Sequence, residues 1–131
     1  MKTLILADVH LKVSDSGAKT RTEFTRFLEN IDPSEFERII LLGDLFDFWF
    51  EYKYVIPHAY FDVLTSLHQA RLNGVDIFFI PGNHDFWTRD FTQETIFSEI
   101  YPDGVSLEES SGKFLIIHGD GLLSWDFGYR T

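Results

Sequence analysis

Apolar residues in this chain come in short runs that alternate with helical patterns. Thr3-Leu4-Ile5-Leu6-Ala7 is a five-residue run closed by Asp8, and runs of this kind read as strands buried on both faces. Between Thr20 and Ile31, Phe24, Phe27, Leu28 and Ile31 fall at i, i+3, i+4 and i+7, one face of a helix. Thr20 and Glu23 have capping-box spacing, and Pro33 ends the element. Ile39–Leu42 predicts a second buried strand, closed by Gly43-Asp44. Pro57 to Asn73 predicts a helix with Tyr60, Val63, Leu64 and Leu67 inward, Pro57 in its first turn and Gly74 as its stop. Val75–Ile80 predicts a third strand, closed by Pro81-Gly82. Asp90–Ile100 predicts a shorter helix with Ile96, Phe97 and Ile100 inward, and Val105–Leu107 and Lys113–Ile117 predict two later strands, the last ending at His118.

The resulting order, β-α-β-α-β-α-β-β, predicts a single α/β domain with a mostly parallel sheet. Parallel strands joined by helical crossovers send their C-terminal ends to one edge, and ligands bind in the crevice outside that edge.

Composition narrows the classes of function. The chain has 131 residues with 11 Lys+Arg against 21 Asp+Glu, a net charge of −10. Such a surface repels phosphate backbones and disfavours nucleic-acid tracking. The absence of cysteine excludes disulfides, thiolate zinc sites and a cysteine nucleophile. No apolar run approaches the roughly 18 residues of a membrane span, and Asp8 arrives too early for a signal peptide, so a cytoplasmic protein is expected. No nucleophile elbow, phosphate loop or dinucleotide fingerprint is present in the sequence.

Four of the strand-like runs end in a polar cluster: Asp8-Val9-His10, Gly43-Asp44-Leu45-Phe46-Asp47, Gly82-Asn83-His84-Asp85 and His118-Gly119-Asp120. If the strands are parallel, the clusters meet at one rim. An extended Asp8-x-His10 would aim both side chains to the same side. Asp44 has two oxygens with which to bridge two cations, Asn83 offers an amide oxygen, and His118 an imidazole nitrogen. Oxygen and nitrogen donors without sulfur suit Mn²⁺, Fe²⁺ or Zn²⁺. Two such ions clamp a phosphoryl group and activate a bridging hydroxide. Gly43, Gly82 and Gly119 flank these residues and permit sharp turns or close approach to the backbone.

These four blocks resemble the calcineurin-like metallophosphoesterase superfamily, and they span nearly the whole chain. The resemblance implies the N-terminal portion of an α/β/β/α sandwich with a dinuclear centre. Asp8 and His10 would bind the first metal, Asp44 would bridge, and Asn83 and His118 would bind the second. His84 would be catalytic, facing the phosphate and leaving group and oriented by Asp47, and Asn83 and His84 would contact substrate. The superfamily's closing Gly-His-x-His is absent from residues 1–131. The chain is therefore expected to be one incomplete metallophosphoesterase domain, weak in metal binding and poorly active by itself.

A narrower resemblance rests on Gly43–Lys53 and on His118–Leu122 followed by Asp126–Tyr129. These segments are similar to the UDP-2,3-diacylglucosamine pyrophosphatases of lipid A biosynthesis. That implies hydrolysis of a nucleotide-sugar lipid to UMP and 2,3-diacylglucosamine 1-phosphate, with two divalent ions expected to be Mn²⁺. It also implies Asp126 and Tyr129 near the sugar phosphate, and peripheral contact with the cytoplasmic face of the inner membrane. Another metallophosphoesterase activity, on nucleotides or phosphodiesters, and a truncated, inactive binding module both remain open. Phe46, Phe48, Trp49, Phe50, Tyr52 and Tyr54 crowd into nine positions. They read either as a loop packed on the core or as a wall for acyl chains, which Phe86 and Trp87 would extend.

Overall fold

The computed structural model describes residues 2–118. Strands β1 (Lys2–Ala7), β2 (Phe36–Leu42), β3 (Asp76–Ile80) and β4 (Glu99–Ile100) form one parallel sheet in the order β1-β2-β3-β4. Leu42 is in register with both Ala7 and Ile80, so the first three strands finish level. Helices α1 (Ala18–Glu29) and α2 (Phe61–Leu72) make the crossovers and pack against each other. A hairpin of β5 (Val105–Glu109) and β6 (Gly112–Ile116) forms a separate antiparallel sheet.

The period of two along β2 and β3 divides the core in two. Ile39, Leu41, Ile77 and Phe79 join Phe24 and Leu28 of α1 and Val63, Leu64 and Leu67 of α2. Ile40, Phe78 and Ile80 face the other way and meet Ile116 of the hairpin, with Leu42, Tyr101, Val105 and Leu107 around them. Burial on both faces is what a continuous apolar run encodes. This is the α/β sandwich with a mostly parallel N-terminal sheet that the sequence predicts.

Four expectations are corrected. β1 is an edge strand: Leu4 and Leu6 pack on the core, but Ile5 is 49% exposed. α1 begins at Ala18, before Thr20, and no side chain caps it. Its Phe27 is exposed. Instead, Arg21 in the first turn donates to the carbonyls of Lys12 and Ser14 and ties down the preceding loop. The segment 90–100 is not a regular helix: Thr92–Ile96 makes one wide π-type turn, and the chain then returns to the sheet as β4. Ser98 N–H donates to the Ile77 carbonyl (2.7 Å) and Tyr101 N–H to that of Phe79 (2.9 Å), while Phe97 stacks on Phe79 at 4.4 Å. Sheet hydrogen bonds and this buried ring pair override a weak local helix pattern that includes β-branched Thr92, Thr95 and Ile96. Finally, the last predicted strand lies in the second sheet, so His118 reaches the rim from a different layer.

α2 matches its predicted apolar face and stops where Gly74 takes φ +99°. Among the described residues no helix is long and apolar enough to cross a membrane. Just before α2, the buried Tyr60 hydroxyl donates to the carbonyl of Leu11 at 2.7 Å. Leu11 in turn bridges to Phe46, so one phenol joins the start of α2 to both loops that leave β1 and β2. Burial raises the Tyr60 phenol from 10.0 to about 12. The neutral phenol's contribution is full below pH 10 and is lost as pH rises toward 12, because the unfolded chain ionises first. Tyr60→Phe is expected to cost about 1–3 kcal/mol by leaving the Leu11 carbonyl unpaired. It should also flatten this alkaline loss, as read by urea unfolding at a series of pH values.

Candidate metal centre

β1, β2 and β3 end level, and the chain leaves them as Asp8, Gly43 and Pro81. The first two loops stay zipped beyond the sheet. Asp8 N–H donates to the Gly43 carbonyl (3.2 Å), His10 N–H to Asp44 (2.9 Å), Leu11 N–H to Leu45 (2.9 Å), and Asp47 N–H back to Leu11 (2.8 Å). Asp8, His10 and Asp44 all lie in the left-handed region, with φ of 52°, 52° and 51°. Asp8 and His10 therefore do not converge by extended geometry; two left-handed residues around Val9 bring them together. Such residues are costly off glycine and persist where the surroundings over-determine them.

The donor atoms gather in two groups. Asp8, Asp44 and His118 form one and His10, Asp47 and His84 the other, each with its three atoms mutually within 4.8 Å. Asp44 is nearly buried, and its Oδ2 lies 3.9 Å from His10 Nε2 and 3.3 Å from His118 Nε2. Asp8 Oδ1 lies 3.8 Å from His10 Nε2. Among the described residues no Lys or Arg pairs with Asp8, Asp44 or Asp47; the ion-pair partners of these carboxylates are histidines. Two clusters of oxygen and nitrogen donors carrying uncompensated negative charge fit a binuclear divalent-metal site.

His84 N–H donates to Asp44 Oδ1 at 2.9 Å, which leaves Oδ2 to face the two imidazoles. The His84 ring lies edge-on to that of His10 at 5.2 Å. Asp47 reaches both: its Oδ1 is 3.3 Å from His10 Nδ1, whereas His84 Nδ1 meets the Asp47 main-chain carbonyl at 3.1 Å, with the carboxylate at 4.0 Å. Asp47 thus meets His84 chiefly through its backbone. Asn83 sits half-buried between Gly82 and His84, both of which touch Asp44. Asp126 and Tyr129 lie outside the described residues.

The glycines have a more specific task than turning the chain. A β-carbon on Gly43, at φ +71°, would strike the His118 ring, and one on Gly82 would strike the Asp44 carboxylate. The space is taken by neighbouring donor side chains.

Sequence reasoning assigned no role to Asp85, although it closes the third motif. It is fully buried. Its Oδ1 accepts from Gly82 N–H (2.9 Å) and Asp44 N–H (3.3 Å), and its Oδ2 from Phe46 N–H (3.2 Å). Burial raises its pKa, while the hydrogen bonds from Gly82 and Phe46 pull the other way. An acid directly after the predicted catalytic His84, and just before an aromatic pair, is the signal that was there to be used. Asp85→Asn replaces one acceptor with a donor facing an N–H. It is expected to weaken divalent-metal affinity about 10- to 100-fold, as outer-shell changes do, measured by titration calorimetry. Gly43→Ala is expected to displace His118 and to weaken binding at the Asp8–Asp44–His118 cluster by a similar factor, while leaving far-ultraviolet circular dichroism unchanged.

Comparison with known proteins agrees with this geometry. The family model for calcineurin-like phosphoesterases matches residues 1–129. The UDP-2,3-diacylglucosamine hydrolase of Porphyromonas gingivalis is 36% identical over 86 residues, covering 66% of this chain and 33% of the relative. That of Aeromonas salmonicida is 35% identical over 133 aligned positions, covering 99% of this chain and 50% of the relative. The chain thus spans about half the length, or less, of these curated relatives. A solved structure of a protein of unknown function from Aquifex aeolicus has a TM-score of 0.60 at 16% identity, covering 98% of this chain and 69% of its own. That likeness shows the fold. Matched over nearly its whole length and carrying its donor residues at one sheet edge, the chain belongs to the calcineurin-like phosphoesterase family.

Proposed function

We propose that the protein containing this chain is a metal-dependent pyrophosphate hydrolase that cleaves UDP-2,3-diacylglucosamine to UMP and 2,3-diacylglucosamine 1-phosphate. The observation that carries the reading is the position of Asp44 Oδ2 between His10 and His118, one oxygen common to two half-sites. Asp8, His10 and Asp44 would hold one ion, and Asp44, Asn83 and His118 the other. Two divalent ions there, Mn²⁺ in this reading, would supply Lewis acidity to the phosphoryl group and lower the pKa of the attacking water.

The chain's own residues do the rest. With Nδ1–H donated to the Asp47 carbonyl, His84 presents Nε2 toward the reaction, to bind the phosphate and stabilise or protonate the departing oxygen. The P–O bond to the leaving phosphate breaks as water oxygen bonds to phosphorus. Asp126 and Tyr129 would contact the sugar phosphate.

The aromatic stretch divides between both of its readings. Phe46 and Trp49 are core residues stacked at 4.9 Å. Phe48, Tyr52, Phe86 and Trp87 are exposed. The exposed set would take the acyl chains, and the similarity to hydrolases named for a diacylated sugar nucleotide supports that reading. The protein would work in the cytoplasm, against the inner membrane where such a lipid resides.

Incubation with UDP-2,3-diacylglucosamine and Mn²⁺, followed by phosphorus NMR, is expected to show UMP and a sugar 1-phosphate, and chelator should stop the reaction. Turnover of another phosphoester without UMP release would replace this substrate with a nucleotide or phosphodiester. His84→Gln is expected to lower kcat about 10²- to 10⁴-fold with metal content unchanged by atomic emission. Asp44→Asn is expected to lose both metal and activity.

A further inference from the structure

Glu51 inverts the usual arrangement of a loop strand. Its neighbours Phe50 and Tyr52 project to the surface side, with their rings 4.6 Å apart and Tyr52 58% exposed, whereas Glu51 itself is 2% exposed. Burying a carboxyl group is costly, and exposing aromatic surface forgoes a favourable term. Folding stability alone would favour the opposite order.

The buried carboxyl group has defined partners. Its Oε1 accepts from the Thr92 hydroxyl at 2.7 Å and, at a longer 3.4 Å, from Thr92 N–H; its Oε2 accepts from Phe91 N–H at 3.0 Å. Thr92 is itself fully buried. Among the described residues no Lys, Arg or His forms an ion pair with Glu51. The Glu51 main chain donates to the Trp87 carbonyl at 3.2 Å, beside the bridge between Phe50 and Trp87. Glu51 therefore clamps the segment from Trp87 to Thr92 at both ends.

That segment opens on Trp87, the second ring of a continuous run of four. Phe86 lies 4.9 Å from Trp87, Trp87 stacks on Phe50 at 5.2 Å, and Phe50 meets Tyr52. The run starts one residue after Asp85, whose carboxylate holds the main chain of Asp44. Aromatic side chains held this way lose little freedom when a ligand arrives, which is the benefit of preorganisation.

We propose that Glu51 is a positioning residue, its buried carboxyl group holding the Trp87–Thr92 segment so that Phe86, Trp87, Phe50 and Tyr52 stand as a preformed ledge for the apolar part of the substrate. This rests on the reading of the centre as a phosphoester site with an apolar wall beside it.

Two probes separate the two claims. Inorganic phosphate and dodecyl phosphate, the latter below its micelle concentration, are titrated calorimetrically into the Mn²⁺-loaded protein. The wild type is expected to bind dodecyl phosphate at least about tenfold more tightly than phosphate. Glu51→Gln, which removes one acceptor, is expected to lower that ratio by about tenfold through lost preorganisation. Thr92→Val should lower it equally, Thr92→Ser should retain it, and the double variant Glu51→Gln/Thr92→Val should be no worse than either single one. If Glu51→Gln does not fold, the Thr92→Val and Thr92→Ser pair carries the same comparison. A wild type that binds neither probe overturns the metal-centre reading and this inference together. A wild type that binds phosphate with no advantage for the alkyl chain, or variants that keep the advantage, overturn the inference alone.

Discussion

The rim of the sheet depends on one buried acid. Asp85 collects N–H groups from Gly82, Asp44 and Phe46, and so binds the exit of β3 to the exit of β2. Its raised pKa reports the desolvation cost of that position. The hydrogen bonds offset the cost, and they fix the main chain of Asp44. Once Asp44 is fixed, its carboxylate accepts from His84 with one oxygen and faces His10 and His118 with the other. Every donor distance in the centre is measured from that oxygen or from a loop tied to it.

The centre is assembled against local preference. Three non-glycine residues hold left-handed backbones, and the acidic groups of two clusters lie together with no Lys or Arg among the described residues to balance them. Backbone strain of this kind costs on the order of 1–3 kcal/mol per residue. The zipped loops, the Tyr60 hydroxyl and the Asp85 hydrogen bonds over-determine the geometry. Divalent cations would neutralise the remaining charge. Stability is thus concentrated around the centre rather than in it.

Much of this was legible in the sequence because it rests on local pattern. The apolar runs of β2 and β3 and the face of α2 follow from burial periodicity, and the polar residues at strand ends follow from parallel topology. What was not legible depends on tertiary context. Ile5 looks like a core residue, and only the sheet order makes β1 an edge. The 90–100 segment has apolar residues at helical spacing, but backbone pairing with β3 wins. The left-handed turns at Asp8 and His10 leave only a weak trace in residue type, because Asp and His tolerate that region but are found mostly outside it. Asp85 and Glu51 look like ordinary solvated acids until their neighbours' N–H groups are located.

The second sheet gives the two donor clusters unequal footing. His10, Asp47 and His84 all hang from connections of the parallel sheet, while His118 arrives on the β5–β6 hairpin. No ladder hydrogen bond joins that hairpin to the parallel sheet among the described residues. It is held by Ile116 against Ile40, Phe78 and Ile80, and by Arg38, which lies over Phe78 and pairs with Glu109 at 3.2 Å. A contact made of side chains opens more cheaply than a backbone ladder. A brief lifting of the hairpin therefore withdraws His118 from the rim, while the donors carried by the loops of the parallel sheet keep their places.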